Sequence, residues 1–118
     1  MDFSAILERI RQFRDSRDWE QFHTLRNLTA ALSIEVAELQ EIFLWKTDSE
    51  STDYMMGDEG HSRISDEVAD VLIYTLLFAD TAKIDIQKAI IGKLEKNEEK
   101  YPVDLSKGRA TKYDELRE

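Results

Sequence analysis

Apolar residues recur every three or four positions along four stretches of the chain, the period of an amphipathic helix. Phe3, Ile6, Leu7, Ile10 and Phe13 form the first stripe and predict a helix over about residues 3–17, capped by Asp2 or Ser4. Leu28, Ala31, Leu32, Leu39, Ile42 and Phe43 form the second, predicting a helix over about residues 25–45. The third begins near Ser62 or Ser65 and runs to about Lys83. From Val71 onward it is apolar on every side, the mark of a fully enclosed helix. Asp85 is a good N-cap for a fourth helix, over about residues 86–100, which Pro102 ends. Residues 18–23 show no clear period and read as a loop. Residues 47–61, rich in Ser, Thr, Asp, Glu and Gly, read as a mobile polar loop with room for a short turn. Residues 103–118, with Gly108 and mixed charges, read as an extended tail. No strand pattern, repeat or low-complexity tract is visible. The expected fold is all-α, a four-helix bundle in a single domain spanning residues 1–118.

Length and charge narrow the picture. A chain of 118 residues buries roughly two thirds of its unfolded surface. Its core is thin if the helices are long, and oligomerisation is the expected way to complete it. The absence of cysteine excludes disulfides, thiolate zinc ligands and a cysteine nucleophile. The first residues carry neither a basic leader segment nor a long apolar run, and the longest uncharged apolar run, Val71 to Ala79, is too short to span a bilayer. A soluble cytoplasmic protein without a membrane partner is expected. The net charge of −9 argues against a nucleic-acid polymer as ligand, because phosphate backbones are held by basic surface. It does not argue against a small phosphate ligand, since a bound cation reverses the local sign of an acidic site.

Two acidic pairs carry the candidate chemistry. Glu35 and Glu38 lie in SIEVAELQEIF, and Glu67 and Asp70 in SDEVADVLIYTLLF. Each pair is spaced i, i+3, so both carboxylates leave one face of their helix. The chain holds 25 Asp and Glu, so such pairs also arise by chance: Asp15/Asp18, Glu50/Asp53, Glu95/Glu98 and Glu115/Glu118 are further examples. Those four sit in polar surroundings, where solvation explains them. The two chosen pairs are flanked by Ile34, Val36, Ala37, Leu39, Val68, Ala69, Val71 and Leu72. Carboxylates in such company need a cation or a changed protonation state. Four oxygen donors converging from two helices suit a hard cation, Mg²⁺ above all.

With these residues in place, the chain resembles the MazG-like nucleotide pyrophosphohydrolases of the all-α NTP pyrophosphatase superfamily, and within them the dCTP pyrophosphatase group. A Glu-x-x-Glu pair followed by a Glu-x-x-Asp pair is the hallmark, here with 28 residues between Glu38 and Glu67. The blocks RDWEQFH (17–23), RNLTAALSIEVAELQEIFLWK (26–46), DEVADVLIY (66–74), IDIQKAIIGKLEKNEEKYPV (84–103) and KGRATKY (107–113) extend the likeness along the chain.

The resemblance implies Mg²⁺-dependent cleavage between the α- and β-phosphates of a nucleoside triphosphate, giving a monophosphate and pyrophosphate. It makes Glu35, Glu38, Glu67 and Asp70 the metal ligands and catalytic carboxylates, with Glu41 either a support for a second metal or a solvated neighbour. It makes Trp19, Gln21, Phe22, His23, Trp45 and Tyr74 substrate contacts, with Lys93 toward phosphate and Asn97 toward sugar or phosphate. Lys107, Arg109 and Lys112 are candidates to fold over the phosphates. It also implies a homo-oligomer, a tetramer ahead of a dimer, and a role in nucleotide-pool sanitation with dCTP-like or modified pyrimidine nucleotides as substrates. Ile10 stands where the mammalian dCTP enzymes place a base-side histidine, so that first-helix contact is absent or replaced and the resemblance leaves strict cytosine preference open.

Read without the resemblance, Trp19 and Trp45 serve equally well as packing residues, His23 as a loop or capping histidine, and Lys93 and Asn97 as a solvated face. Two rival readings follow: a non-catalytic nucleotide- or metal-binding helical module, and a plain helical interaction protein.

Overall fold

A computed structural model describes residues 2–116 and is helical throughout, with no strand among them. Its elements are α1 (Phe3–Ser16), a 3₁₀ turn (Glu20–Phe22), α2 (Leu25–Phe43), α3 (Asp48–Met56), α4 (Asp58–Thr81), α5 (Ile86–Lys100), α6 (Val103–Ser106) and a final 3₁₀ turn (Tyr113–Glu115). The all-α class is as expected from the periodicity. The chain divides into two compact units, Met1–Ile84 and Asp85–Glu118.

Helix starts follow their caps. Asp2 accepts from the Ala5 amide at 2.9 Å, Thr24 from Asn27 at 3.1 Å and Asp85 from Lys88 at 3.1 Å, each satisfying an amide the first turn leaves open. In the first unit α2 packs along α4, and α3 and α1 also lie against α4. Among the described residues, Leu28 and Ile42 of α2 and Leu76, Leu77 and Ala79 of α4 are the buried apolar ones. Five such side chains make a thin core for helices of this length.

Residues 47–61 do not form a loop. Thr47 and Glu50 build a reciprocal capping box, at 3.1 and 3.0 Å, and start α3. The polar composition concealed a helix because α3 has little apolar face of its own; its start is encoded in Thr-x-x-Glu. Lys46 lies over the Tyr54 ring at 4.9 Å, tying α3 to the end of α2. Helix α4 then begins at Asp58, earlier than Ser62. Gly60 is buried, and a Cβ there would stand 1.8 Å from the Tyr54 carbonyl oxygen, so only glycine lets the two helices approach this closely.

Other boundaries shift less. Helix α2 stops at Phe43, and Trp45 follows in the left-handed region at φ 68°. Residues 18–23 contain a 3₁₀ turn rather than an irregular loop. From Val71 onward α4 is not enclosed on every side: Leu72 is 55% exposed, because its packed neighbours leave one apolar strip facing outward.

The link between α1 and α4 is ionic. Arg11 donates to Asp80 through Nε at 2.8 Å and Nη2 at 2.6 Å, and the buried Arg14 donates through Nη1 at 2.9 Å. Arg14 Nε also reaches Asp15 at 2.8 Å. Hydrogen bonding from Arg11 holds the Asp80 carboxyl below its ordinary value against the opposing effect of burial, with Arg14 adding to it.

In the second unit, α5 spans the expected residues and the tail is not wholly extended. It makes one helical turn, reverses near Gly108 (φ 75°) and sets Tyr113 edge-on against Tyr101 at 6.1 Å, under Lys100 at 4.7 Å. Aromatic and cation–π contacts supply what its sequence period did not show. Arg117 and Glu118 lie outside the described residues, and with them the Glu115/Glu118 pair.

Candidate metal centre and adjoining cavity

Helical geometry alone places Glu35 and Glu38 on one face of α2, and Glu67 and Asp70 on one face of α4. Because α2 and α4 pack along each other, those faces meet. Glu35, Glu38 and Glu67 each offer a carboxylate oxygen within 4.8 Å of the others. Asp70 is not in that triplet; it lines the adjoining cavity together with Glu35.

The triplet lacks charge compensation of its own. Glu35 Oε2 and Glu67 Oε2 are buried and neither has a hydrogen-bond partner, a state that costs free energy unless a cation or a proton relieves it. The electrostatics say the same. Burial, then the Glu38 carboxyl, then the charges of Asp70 and Glu67 push Glu35 up to about 7. Burial and the Glu38 charge also raise Glu67. An all-oxygen, all-anionic donor set of this kind can hold a hard metal ion.

Beside it opens a cavity of about 620 Å³ lined by Trp19, His23, Glu35, Asp70 and Tyr74, all singled out from sequence. Ile6, Arg9, Ile10 and Phe13 of α1 complete one wall, and Ile73 and Leu77 of α4 another. Trp19 stands edge-on to Phe13, with ring centres 5.7 Å apart, and tilts over His23 at 6.5 Å. His23 Nδ1 is buried without a partner. Burial, reinforced by the Arg14 charge, lowers its affinity for a proton and favours the neutral ring.

Not every expected residue is gathered here. Gln21 donates to the carbonyl and carboxylate of Asp18, at 3.1 and 2.9 Å, and Phe22 is 60% exposed; neither lines the cavity. Trp45 is 92% exposed beyond the end of α2 and is also outside the lining. Lys93 and Asn97 lie on α5 in the second unit, where they border a shallow groove with Ile86, Ala89, Ile90 and Leu94. Lys107 and Lys112 are exposed residues of the tail, and Arg109 follows its turn.

On α1 the resemblance marks position 10 as base-side, but nothing in the sequence singles out Ile6, Arg9 and Phe13 as cavity residues. Ile6, Ile10 and Phe13 were visible as a stripe, but a stripe that lines a cavity has the same period as one that fills a core. Their partial exposure, 38% for Ile6 and 51% for Phe13, marks the difference.

Comparison with known proteins agrees with this arrangement. The chain is 43% identical over 105 residues to the rat protein named dCTP pyrophosphatase 1, and 40% identical to the human one, across 89% of its own length in each case. It spans 62% of the length of these curated relatives. A solved pyrophosphatase from Archaeoglobus fulgidus shares 44% identity and superposes with a TM-score of 0.77, covering 84% of this chain and 91% of that one. Residues 30–116, which hold both acidic pairs, match the MazG-like family, and the chain belongs to that family.

Proposed function

We propose that this protein hydrolyses nucleoside triphosphates between the α- and β-phosphates in a Mg²⁺-dependent reaction, releasing a monophosphate and pyrophosphate. Its proposed substrates are dCTP-like or modified pyrimidine nucleotides, and its role is nucleotide-pool sanitation in the cytoplasm. One observation carries the reading. Three carboxylates from two helices converge within 4.8 Å, with two buried oxygens unpartnered, beside a cavity walled by aromatic residues. The names of the relatives, dCTP pyrophosphatase 1 and pyrophosphatase, support it.

Glu35, Glu38 and Glu67 would hold Mg²⁺, with Asp70 as the further ligand at the cavity edge. Bound there, the ion supplies neutralisation of the phosphate charge and polarisation of the α-phosphorus. The remaining work falls to the chain. A carboxylate oxygen of the cluster accepts the proton of the attacking water. The water oxygen bonds to the α-phosphorus as the bond from that phosphorus to the α–β bridging oxygen breaks, and pyrophosphate leaves with the bridging oxygen. Tyr74, one helical turn from Asp70, and Trp19 wall the base. The apolar lining excludes bulk water, and the neutral His23 offers a ring nitrogen for hydrogen bonding. Hydrolysis in ¹⁸O-water tests the bond cleaved. The label is expected in the monophosphate; label in pyrophosphate, or release of orthophosphate, contradicts it.

The same reading includes a homo-oligomer, a tetramer ahead of a dimer. Its support is the thin core and the exposed apolar residues Ile34 and Val36 on α2 and Val68 and Leu72 on α4. Light scattering is expected to give a multiple of 13.8 kDa; a monomer at micromolar concentration contradicts this part. No helix among the described residues is long and apolar enough to cross a membrane.

A further inference from the structure

The cavity has one lining side chain that neither the metal centre nor the apolar wall explains. Arg9 projects from the same stripe of α1 as Ile6, Ile10 and Phe13, and all four line the cavity. The other arginines of this segment are engaged. Arg11 and Arg14 bind Asp80, and Arg17 lies over the Phe13 ring at 3.9 Å while donating to the Phe13 carbonyl at 3.0 Å. No hydrogen bond, ion pair or ring contact engages Arg9 among the described residues. It is also the sole lysine or arginine among the lining residues of a cavity that carries Glu35 and Asp70.

We infer that Arg9 is a specificity residue that reads an acceptor edge of the nucleobase; the inference rests on the nucleotide reading of the cavity. The division of labour in the walls supports a base contact over a phosphate contact. Both carboxylates come from α2 and α4, so the phosphates belong at that end, whereas α1 supplies Ile6, Ile10 and Phe13, which suit only a flat apolar group. A guanidinium donates and never accepts. Placed beside such a ring it favours bases that present a carbonyl oxygen or an unprotonated ring nitrogen, and it disfavours an edge presenting an amino group. The other lining groups able to hydrogen-bond at the base end are the His23 ring, the Tyr74 hydroxyl and the Trp19 indole N–H; none of them carries a charge, and Arg9 adds a charged donor to them.

Arg9 is exposed, so its replacement leaves the core in place. The test compares wild type with Arg9→Ala and Arg9→Lys on dCTP, dTTP, dGTP and dATP with Mg²⁺. Dissociation constants of the corresponding nucleoside monophosphates, read from tryptophan fluorescence, provide a readout independent of turnover. The expected result is a fall of about tenfold or more in the preference for the best base over the worst, in kcat/KM and in monophosphate affinity, which lysine does not restore. A loss of the same size for all four bases makes Arg9 a phosphate contact and overturns the inference, as does an unchanged preference. Wild type that binds monophosphates selectively through Arg9 but turns over no triphosphate keeps the inference and removes the hydrolase reading.

Discussion

Glu67→Ala lowers Mg²⁺-dependent turnover of nucleoside triphosphates by about a thousandfold or more. The basis is geometric: Glu67 is the α4 member of a triplet whose oxygens lie within 4.8 Å of one another. Without it, α4 retains only Asp70, which stands outside that triplet. Loss of one ligand of a catalytic cation removes several kcal/mol of transition-state stabilisation, and each 1.36 kcal/mol is a factor of ten in rate. The same substitution has an opposite effect on stability. In metal-free protein it removes one of three crowded carboxyl groups and a buried oxygen without a partner, so the variant melts at a higher temperature than wild type. On adding Mg²⁺, wild type gains stability by mass action and the variant does not. Thermal melts and pyrophosphate release, each with and without Mg²⁺, separate the two effects. A variant that keeps both its turnover and its Mg²⁺-dependent melting shift shows that Glu67 is no ligand.

Asp80→Asn destabilises the protein by about 3 kcal/mol, a fall of roughly 10 °C in Tm for a domain of this size. Asp80 is the shared partner of Arg11 and the buried Arg14. Its neutralisation leaves two guanidinium groups facing each other with no anion between them, which is costlier than the pair was worth. The pH dependence carries the matching sign. The Asp80 carboxyl lies below its ordinary 3.8 in the folded state, so its contribution is present above pH 3.8 and is lost as pH falls through the lower, folded value. Wild type therefore loses this increment of stability in acid, and Asp80→Asn has none to lose. The difference between the two melting curves against pH shrinks below pH 3.8. Because α1 also provides Ile6, Ile10 and Phe13 to the cavity, loosening this link raises KM more than it lowers kcat. Equal melting temperatures for variant and wild type at neutral pH would show that the network contributes nothing.

How much was legible in the sequence depended on whether a residue's role left a periodic trace. The start of α5 was readable because Asp85 caps it and Pro102 closes it. The acidic pairs were readable because i, i+3 spacing inside an apolar run is unusual for solvated carboxylates, and the packing of α2 along α4 then brings three of the four together. Helix α3 was concealed because it is held by a capping box and by Gly60 against Tyr54, neither of which produces an apolar stripe. Arg14 reads as one more charge on a polar face, since of the two anions that pair with it only Asp15 is adjacent, and Asp80, which ties it to α4, lies 66 positions away along the chain. The α1 wall is not legible for a different reason: periodicity reports which residues share a face, never what that face meets. Trp45 illustrates the converse. Its place in a matching block marks it as a substrate contact, while in this chain it is 92% exposed past the end of α2 and does not line the cavity.

The central claim is that the carboxylates of α2 and α4 hold a divalent cation that makes the adjoining cavity a nucleotide hydrolase site. Pyrophosphate release from a panel of canonical and 5-modified deoxynucleoside and nucleoside triphosphates, with and without Mg²⁺, tests it most directly. Release that requires Mg²⁺, fastest with dCTP or a 5-modified pyrimidine nucleotide, is the predicted result. No release from any nucleotide, with Mg²⁺-dependent nucleotide binding intact, contradicts it and leaves a binding module in its place.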